Sequence, residues 1–186
     1  MIDVSVVRSF DDLQATLALR AVVYMGEQSC PFLEEFDGND LAGATHLLAR
    51  CEGAPAGVIR IRWFAGFAKL ERAAVGRAYR ARGVARALWQ ESARVAAAKG
   101  YSQMLGYIEP RLIPFWRACA GFEPRAGRPK FYFSDREYVE VIAPISPTAE
   151  DVLTIDSSPM VLIRPEGAWD APGILDASVQ RKRAAR

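Results

Sequence analysis

The sequence predicts an α/β fold built on a mixed sheet of about six or seven strands, covered by helices on both faces. Strand-like and helix-like segments mix without the strict alternation that an all-parallel sheet requires. The 186 residues are enough for one well-buried α/β domain and too few for two ordinary ones. We therefore expect one domain over residues 1–143, followed by a C-terminal extension over residues 144–186.

The first half of the chain predicts four strands and one helix. A short strand at 4–7 leads through turn formers into a helix at 13–27, whose apolar residues repeat at helical spacing. The turn-rich, acidic stretch that follows is expected to be irregular. Strands are then predicted where Val, Ile and Trp-type residues alternate with polar ones, namely at 45–51, 57–64 and 68–75.

The second half begins with an amphipathic helix at 83–99, which Gly100 ends. A strand at 101–108 and a short aromatic helix at 111–119 follow, and one or two strands are predicted within 130–142. The extension is proline-rich and irregular, but it contains Trp169 and an apolar run. We expect it to pack on the domain or on a partner subunit, which leaves a homodimer open.

Composition and charge exclude several classes of protein. The chain is 51% hydrophobic and 25% charged with a net charge of +2, and it has no apolar run long enough to cross a membrane. Its N-terminus lacks the features of a signal peptide, and its three cysteines are odd in number, so we expect a cytoplasmic protein with reduced thiols. One histidine and no paired cysteines make a zinc site improbable. The basic cluster at 181–186 is interpreted as a frayed end, and no nucleic-acid partner is expected.

The most informative segment is the arginine-rich turn that opens into the 83–99 helix. Its residues Arg82, Gly83, Val84 and Ala85 offer no side-chain acceptor, so the first amides of the helix are available to an external anion. Gly83 allows a close approach of the backbone, and the flanking arginines add charged donors. This arrangement predicts a phosphate-binding turn.

The turn and its surroundings resemble the GNAT superfamily of N-acetyltransferases. The family pattern Gln/Arg-x-x-Gly-x-Gly/Ala is matched at Arg80, Gly83 and Ala85, after a family-like strand at 70–75 and before an aromatic helix that closes on Gly121. The resemblance covers roughly residues 3–142 and is closest to small bacterial acetyltransferases. It implies a mostly antiparallel sheet and acetyl transfer from acetyl-CoA to a primary amine of a small molecule or peptide.

The resemblance also assigns roles to individual residues. The pyrophosphate of acetyl-CoA would bind the turn amides, the pantetheine arm would pair with the strand edge, and the Val75 N–H would polarise the thioester carbonyl. The assigned cofactor residues are Ala73, Ala74, Val75, Arg80, Arg82, Gly83, Val84, Ala85, Arg86 and Ala87. No metal is implied.

Two catalytic candidates follow, each with an alternative. Glu71 is the candidate base, since in an unbulged strand its side chain shares a face with Ala73 and Val75. A structural ion pair with a neighbouring arginine (Arg60, Arg62 or Arg72) explains Glu71 equally well. In many members of the family a tyrosine acts as the general acid that protonates the leaving thiolate. Trp116 stands at that position here, and its indole N–H cannot protonate a thiolate. Tyr107 is the candidate substitute, with Tyr132 as a second choice.

Other residues carry weaker signals. His46 and Cys119 are interpreted as ordinary packed residues rather than as catalysts. The acidic segment at 34–37 either lines a site for a cationic amine or is a solvated loop. Two rival functions remain open: a relative of the acyl-homoserine lactone synthases, suggested by Arg20 and the acidic segment, and a CoA-binding sensor without catalysis, suggested by Trp116.

Overall fold

The computed structural model describes residues 1–133, 135–148, 150 and 152–178. The basic cluster predicted at 181–186 lies outside these residues. The core of the fold is one mixed sheet of eight strands in the order β1-β2-β3-β4-β5-β8-β6, with β7 paired to β8. The strands are β1 Ile2–Val6, β2 Thr45–Cys51, β3 Ala54–Phe64, β4 Phe67–Val75, β5 Gln103–Ile108, β6 Glu123–Pro124, β7 Phe131–Phe133 and β8 Arg136–Pro144.

The sheet is mostly antiparallel, as the resemblance implies. Only β4 and β5 run parallel among the described strand pairs, because α3 (Val84–Ala98) connects them as a crossover. The two strands beyond the expected number are short: β6 has two residues and β7 has three. Segments this short carry no readable alternation, which explains why the sequence does not reveal them.

Helices cover both faces of the sheet, as predicted. Helix α1 (Phe10–Arg20) is capped by Ser9, whose Oγ accepts a hydrogen bond from the amide of Asp12 at 3.1 Å. It continues without a break as a π-helical segment over Ala21–Glu27. Helix α3 and helix α4 (Ile113–Ala120) pack on the opposite face. Two further helices, α2 (Phe32–Glu35) and α5 (Pro159–Leu162), have four residues each.

Each face of the sheet has its own apolar core. The larger core lies under α3 and α4 and contains Leu47, Ile61, Leu88 and Phe122, all at most 1% exposed. The smaller core lies under α1 and the π-helical segment and includes Val58. The α1 face therefore has room for polar side chains, and the charged residues of the candidate site occupy it.

Strand β4 contains a bulge that changes which side chains share a face. Val58 pairs with Ala74 and Arg60 pairs with Glu71, so β4 has one more residue than β3 between these pairs. Arg72 sits at the bulge with a φ of 51°, in the left-handed region. Beyond the bulge, the odd-numbered and even-numbered side chains of β4 have therefore exchanged faces of the sheet.

The described part of the extension packs on its own domain, along α3. Trp169 contacts the large core, the amide of Leu153 donates to the carbonyl of Ala98 at 2.8 Å, and Lys99 pairs with Glu166 at 2.8 Å. A Cβ on Gly167 would lie 2.4 Å from Val6, so the backbone approaches β1 closely there. None of the described helices is long and apolar enough to cross a bilayer.

Candidate functional site

The N-terminus of α3 presents backbone amides without a side-chain cap. Gly83 stands at the cap position with a φ of 85°, and within the described chain no side chain hydrogen-bonds to this helix start. The first intrahelical bond runs from the amide of Ala87 to the carbonyl of Gly83 at 3.0 Å. The amides from Gly83 to Arg86 therefore lie before the helical ladder, as an anion site requires. The amide of Ala87, which was also assigned to the cofactor, makes the first bond of the helix.

The three arginines of the turn differ in their contacts. Arg80 donates to Glu27 at 2.5 Å and to the carbonyl of Val75 at 3.1 Å, so its side chain ties the turn to β4 and to the π-helical segment. Arg82 is exposed and lies 6.0 Å from the ring centre of Tyr79. Arg86 is also exposed. The sequence did not indicate that Arg80 is engaged within the protein, since Glu27 is 53 residues away.

Strand β4 has an open edge directly before this turn. Within the described residues β5 pairs with β4 only at Ala68, Lys69 and Leu70, and beyond that point it pairs with β8 alone. The last three residues of β4 therefore border a gap between two parallel strands.

Backbone groups of β4 point into that gap. The amide of Gly76 donates to Ala56 at 2.9 Å, so the neighbouring pair, Val75 and Gly57, does not exchange hydrogen bonds across the ladder. The N–H of Val75 consequently points away from β3, toward the gap. Ala73 has the same orientation, because its carbonyl accepts a hydrogen bond from the Tyr24 hydroxyl at 2.8 Å. Ala74, which was also assigned to the cofactor, pairs with Val58, so its backbone faces β3 and not the gap.

Two cavities meet at the mouth of the gap. The smaller, of about 110 Å³, lies between β4 and β5 and is lined by Leu70, Ala73, Gly106 and Trp116. The larger, a cleft of about 560 Å³, lies on the α1 face. Residues common to both linings are Tyr24, Gln28, Leu70, Glu71, Arg72, Tyr107 and Tyr138. A thioester in the smaller cavity and an acceptor in the cleft would meet at these residues.

A buried ion network forms the floor of the cleft. Arg60 is 1% exposed and contacts three carboxylates: Asp37 at 2.7 Å, Asp40 at 2.9 Å and Glu71 at 2.7 Å. Arg20, at the end of α1, is fully buried against Glu35 at 2.6 Å. Burying charge in this way is tolerable only because the groups are paired and hydrogen-bonded.

Glu71 belongs to this network. It contacts Arg60 and Lys69 at 2.7 Å each, and Arg62 at 3.9 Å. Burial alone would raise its pKa, but the pairs with Lys69 and Arg60 outweigh burial and lower it. A carboxylate with a lowered pKa is a weak base, so these contacts favour the ion-pair interpretation, with Arg60 as the partner. The predicted common face with Ala73 and Val75 is wrong because of the bulge.

Tyrosines surround the junction of the two cavities. Tyr107 lies on β5 with the ammonium of Lys69 at 4.1 Å from its ring centre, and burial followed by Glu140 and Glu71 raises its pKa. Tyr24 and Tyr138 were not singled out by the sequence, since nothing local distinguishes them from other half-buried tyrosines. Tyr132 lines the cleft but is not part of the junction. Trp116 is buried against Phe122 in the large core.

The weaker candidates have structural roles. His46 is buried, its Nε2 lies 3.0 Å from the carbonyl of Asp40, and burial lowers its pKa. Burial raises the pKa of Cys119, so its thiol is not activated. In the acidic segment, Glu35 is buried with Arg20 and Asp37 pairs with Arg60, so the segment is not a solvated loop. Glu34 and Asp37 line the larger cleft. Among the described residues no group of His, Cys, Asp or Glu could hold a metal.

Comparison with known proteins identifies the family. The model of the acetyltransferase (GNAT) family matches residues 13–122, more than half of the chain. The chain belongs to the GNAT family. It is 30% identical over 102 residues to the putative acetyltransferase BSU40680 of Bacillus subtilis (strain 168), covering 54% of this chain and 69% of that protein.

Solved structures of other GNAT-like proteins share the fold. An acyl-CoA N-acyltransferase from Pseudomonas aeruginosa superimposes with a TM-score of 0.69 at 22% identity, covering 77% of this chain and 99% of that one. The CoA-dependent acyl-homoserine lactone synthase BjaI superimposes with a TM-score of 0.66 at 14% identity, covering 82% of this chain and 86% of that one. At these identities the likeness shows the fold alone.

Proposed function

We propose that this GNAT protein transfers an acetyl group from acetyl-CoA to a primary amine by direct attack in a ternary complex. The observation that carries the proposal is the open edge of β4. It runs from the uncapped start of α3 to the junction of the two cavities, so one extended donor can reach from the turn to the acceptor cleft.

The donor would be held mainly by the backbone. The amides from Gly83 to Arg86 receive the pyrophosphate, with Arg82 and Arg86 adding charge at its margin. The pantetheine arm lies along the gap and pairs with Ala73 and Val75. The N–H of Val75 then polarises the thioester carbonyl and stabilises the oxyanion that forms there.

The chemistry at the junction involves three proton movements. The ammonium must lose one proton before its nitrogen attacks the carbonyl carbon, the departing sulfur gains a proton when the C–S bond breaks, and the second proton that leaves the nitrogen restores the acid. Tyr107 is the proposed donor to the sulfur, since it lines both cavities and a tyrosine hydroxyl is protonated at neutral pH. The first proton leaves through water, with Glu71 in its ion-paired form orienting Lys69 and Arg60 nearby.

The test is CoA binding by calorimetry in two variants of the turn. Gly83→Asp places a carboxylate where the pyrophosphate binds, whereas Gly83→Asn has nearly the same shape, tolerates a positive φ and adds no charge. We expect Gly83→Asp to lose CoA binding and Gly83→Asn to retain most of it. Equal affinity for CoA in the two variants would refute the assignment of the turn.

Turnover separates an enzyme from a sensor. With acetyl-CoA and a broad amine panel, release of the CoA thiol supports the proposal. Tight acetyl-CoA binding with no consumption by any amine favours the CoA-sensing alternative, for which the buried Trp116 is the supporting observation.

A second candidate function is lactone synthesis of the acyl-homoserine type. The observation that favours it is that Arg20 and the acidic segment, which suggested it in the sequence, meet in one network beneath the cleft. Incubation with S-adenosylmethionine and acyl-CoA donors tests it. Lactone formation without any acetylated amine would replace the preferred proposal with this one.

A further inference from the structure

The cleft has more cationic than acidic side chains. Its lining contains five cations (Arg60, Arg62, Lys69, Arg72, Arg136) and three carboxylates (Glu34, Asp37, Glu71). Two of the carboxylates are shared among the protein's own cations: Asp37 contacts Arg60 and Arg72 at 2.7 and 3.1 Å, and Glu71 contacts Arg60 and Lys69. A polycationic acceptor would therefore meet mainly positive charge.

Among the cations that line the cleft, Arg62 has the longest ion-pair distance to a carboxylate. It lies directly across from Lys69 in the β3–β4 ladder, a like-charge pair that costs stability. Its nearest carboxylate oxygen, on Glu71, is 3.9 Å away and is shared with Lys69 at 2.7 Å. Within the part of the chain that the structure describes, the Arg62 guanidinium has no hydrogen-bond acceptor. Its planar group of N–H donors is thus available to an anion in the cleft.

The mouth of the cleft is apolar on two sides. Leu33, on α2, is 80% exposed, and on β7 Tyr132 and Phe133 are 67% and 52% exposed. All three line the cleft. Large apolar side chains left in water beside a cavity are typical of a surface that an apolar ligand group covers.

We propose that the acceptor amine also carries an anionic group and an apolar side group, as a hydrophobic amino acid does. The anionic group binds Arg62, and the apolar group lies between Leu33 and the β7 aromatic side chains. This inference rests on the proposed function and names its acceptor class. A carboxylate or a phosphate has the required chemistry, and the experiment distinguishes them.

The reaction on such an acceptor balances without a further reactant. The nitrogen forms a bond to the acetyl carbon and the C–S bond breaks. The ammonium loses two protons in all: one is released to water, and the other balances the proton that the sulfur gains. The product is an N-acetylated acid that keeps its anionic group but has lost the positive charge of the amine.

The experiment measures both binding and turnover on the full chain. The probes are phenylalanine and leucine, phenylalaninamide as the uncharged analogue, an aminoalkyl phosphate, and spermidine. Ligand-observed NMR reports binding of each probe with and without CoA, and thiol release reports turnover of acetyl-CoA. Each is repeated for Arg62→Gln and for the control Arg117→Gln, which removes an exposed guanidinium on α4 outside the cleft.

We expect phenylalanine to bind and react at least tenfold better than its amide or spermidine. Because a hydrogen bond to a charged group contributes about 1.5–3 kcal/mol, Arg62→Gln should raise the KM for phenylalanine roughly ten- to hundredfold and remove the preference over the amide. The KM for acetyl-CoA should stay unchanged, and Arg117→Gln should behave as wild type. Preference for the aminoalkyl phosphate, with the same dependence on Arg62, assigns a phosphate as the anionic group.

Three results would overturn the inference while leaving the proposed function intact. They are acetylation of spermidine or phenylalaninamide as efficient as that of the acids, an unchanged KM in Arg62→Gln, and no binding of any anionic probe while CoA binds. Failure of CoA to bind the wild type would instead overturn the proposed function, and the NMR titration without CoA would still decide whether the anionic amine binds.

Discussion

Replacing Arg60 by methionine tests whether the ion network is the structural floor of the site. Arg60 is 1% exposed and contacts Asp37, Asp40 and Glu71 within 3 Å. The variant Arg60→Met keeps most of the side-chain volume but leaves these carboxylates without their shared cation. Removing one partner of a buried ion pair costs about 3–5 kcal/mol, so we expect the free energy of unfolding at pH 7 to fall by about that amount.

The dependence on pH distinguishes this cause from a simple packing defect. Burial raises the pKa of Asp37, Asp40 and Glu71, but their pairs with arginine or lysine outweigh burial and lower it. The stability that these carboxylates provide is therefore present above their unfolded pKa of about 4 and is lost as the pH falls toward their folded values. In Arg60→Met the same groups lose the cation that they share, so their pKa rises and protonation relieves the repulsion.

The difference in stability between wild type and variant should consequently shrink as the pH falls from 6 to 4. For each additional proton that the folded variant binds, the difference changes by about 1.4 kcal/mol per pH unit. Urea unfolding followed by tryptophan fluorescence at pH 7, 6, 5 and 4 measures it. The control Arg117→Met removes an exposed arginine and should unfold at the wild-type urea concentration. A loss below about 1 kcal/mol at pH 7, or one that is constant with pH, would refute the reasoning.

Two further changes test the donor side of the site. Tyr107→Phe should lower kcat on the order of a hundredfold with an unchanged KM for acetyl-CoA. The control Tyr132→Phe should leave kcat unchanged. Thiol release measures both, and equal kcat values in the two variants would mean that water protonates the sulfur. Gly57→Ala places a Cβ 2.6 Å from Val84 Cγ1, so it should shift the start of α3, cost about 1–3 kcal/mol in urea unfolding and weaken CoA binding in calorimetry. Gly26→Ala, whose new methyl meets no atom closer than 4.0 Å, is the control, and equal CoA affinity in the two variants would contradict this explanation.

The sequence predicted those parts of the fold that local signals determine. The strand at 45–51 was predicted with its observed bounds, and the helix at 83–99 differs from α3 by one residue at each end. Both segments combine regular periodicity with turn residues at their ends. The unpaired amides at the start of α3 could also be predicted from local sequence, because the residues at the helix start show that no side chain caps it.

The bulge and the ion network could not be predicted in the same way. Arg72 adopts a positive φ that its side chain gives no reason to expect, since glycine and asparagine are the residues that usually do so. The partners of Arg20 and Arg60 lie 11 to 23 residues away along the chain, and an isolated arginine in a sequence is expected at the surface. Only the folded sheet brings these charges together beneath the cleft.

The reversed alternation in β4 has a consequence for how this protein can diverge. Before the bulge, Lys69 and Glu71 face the acceptor cleft, and after it the backbone of Ala73 and Val75 borders the gap proposed for the donor. Under the proposed function, substitutions on the first half would change which amine enters without altering the groups that would pair with CoA. A duplicated gene could therefore acquire a new acceptor through a few changes in one half of a strand while inheriting its donor unchanged.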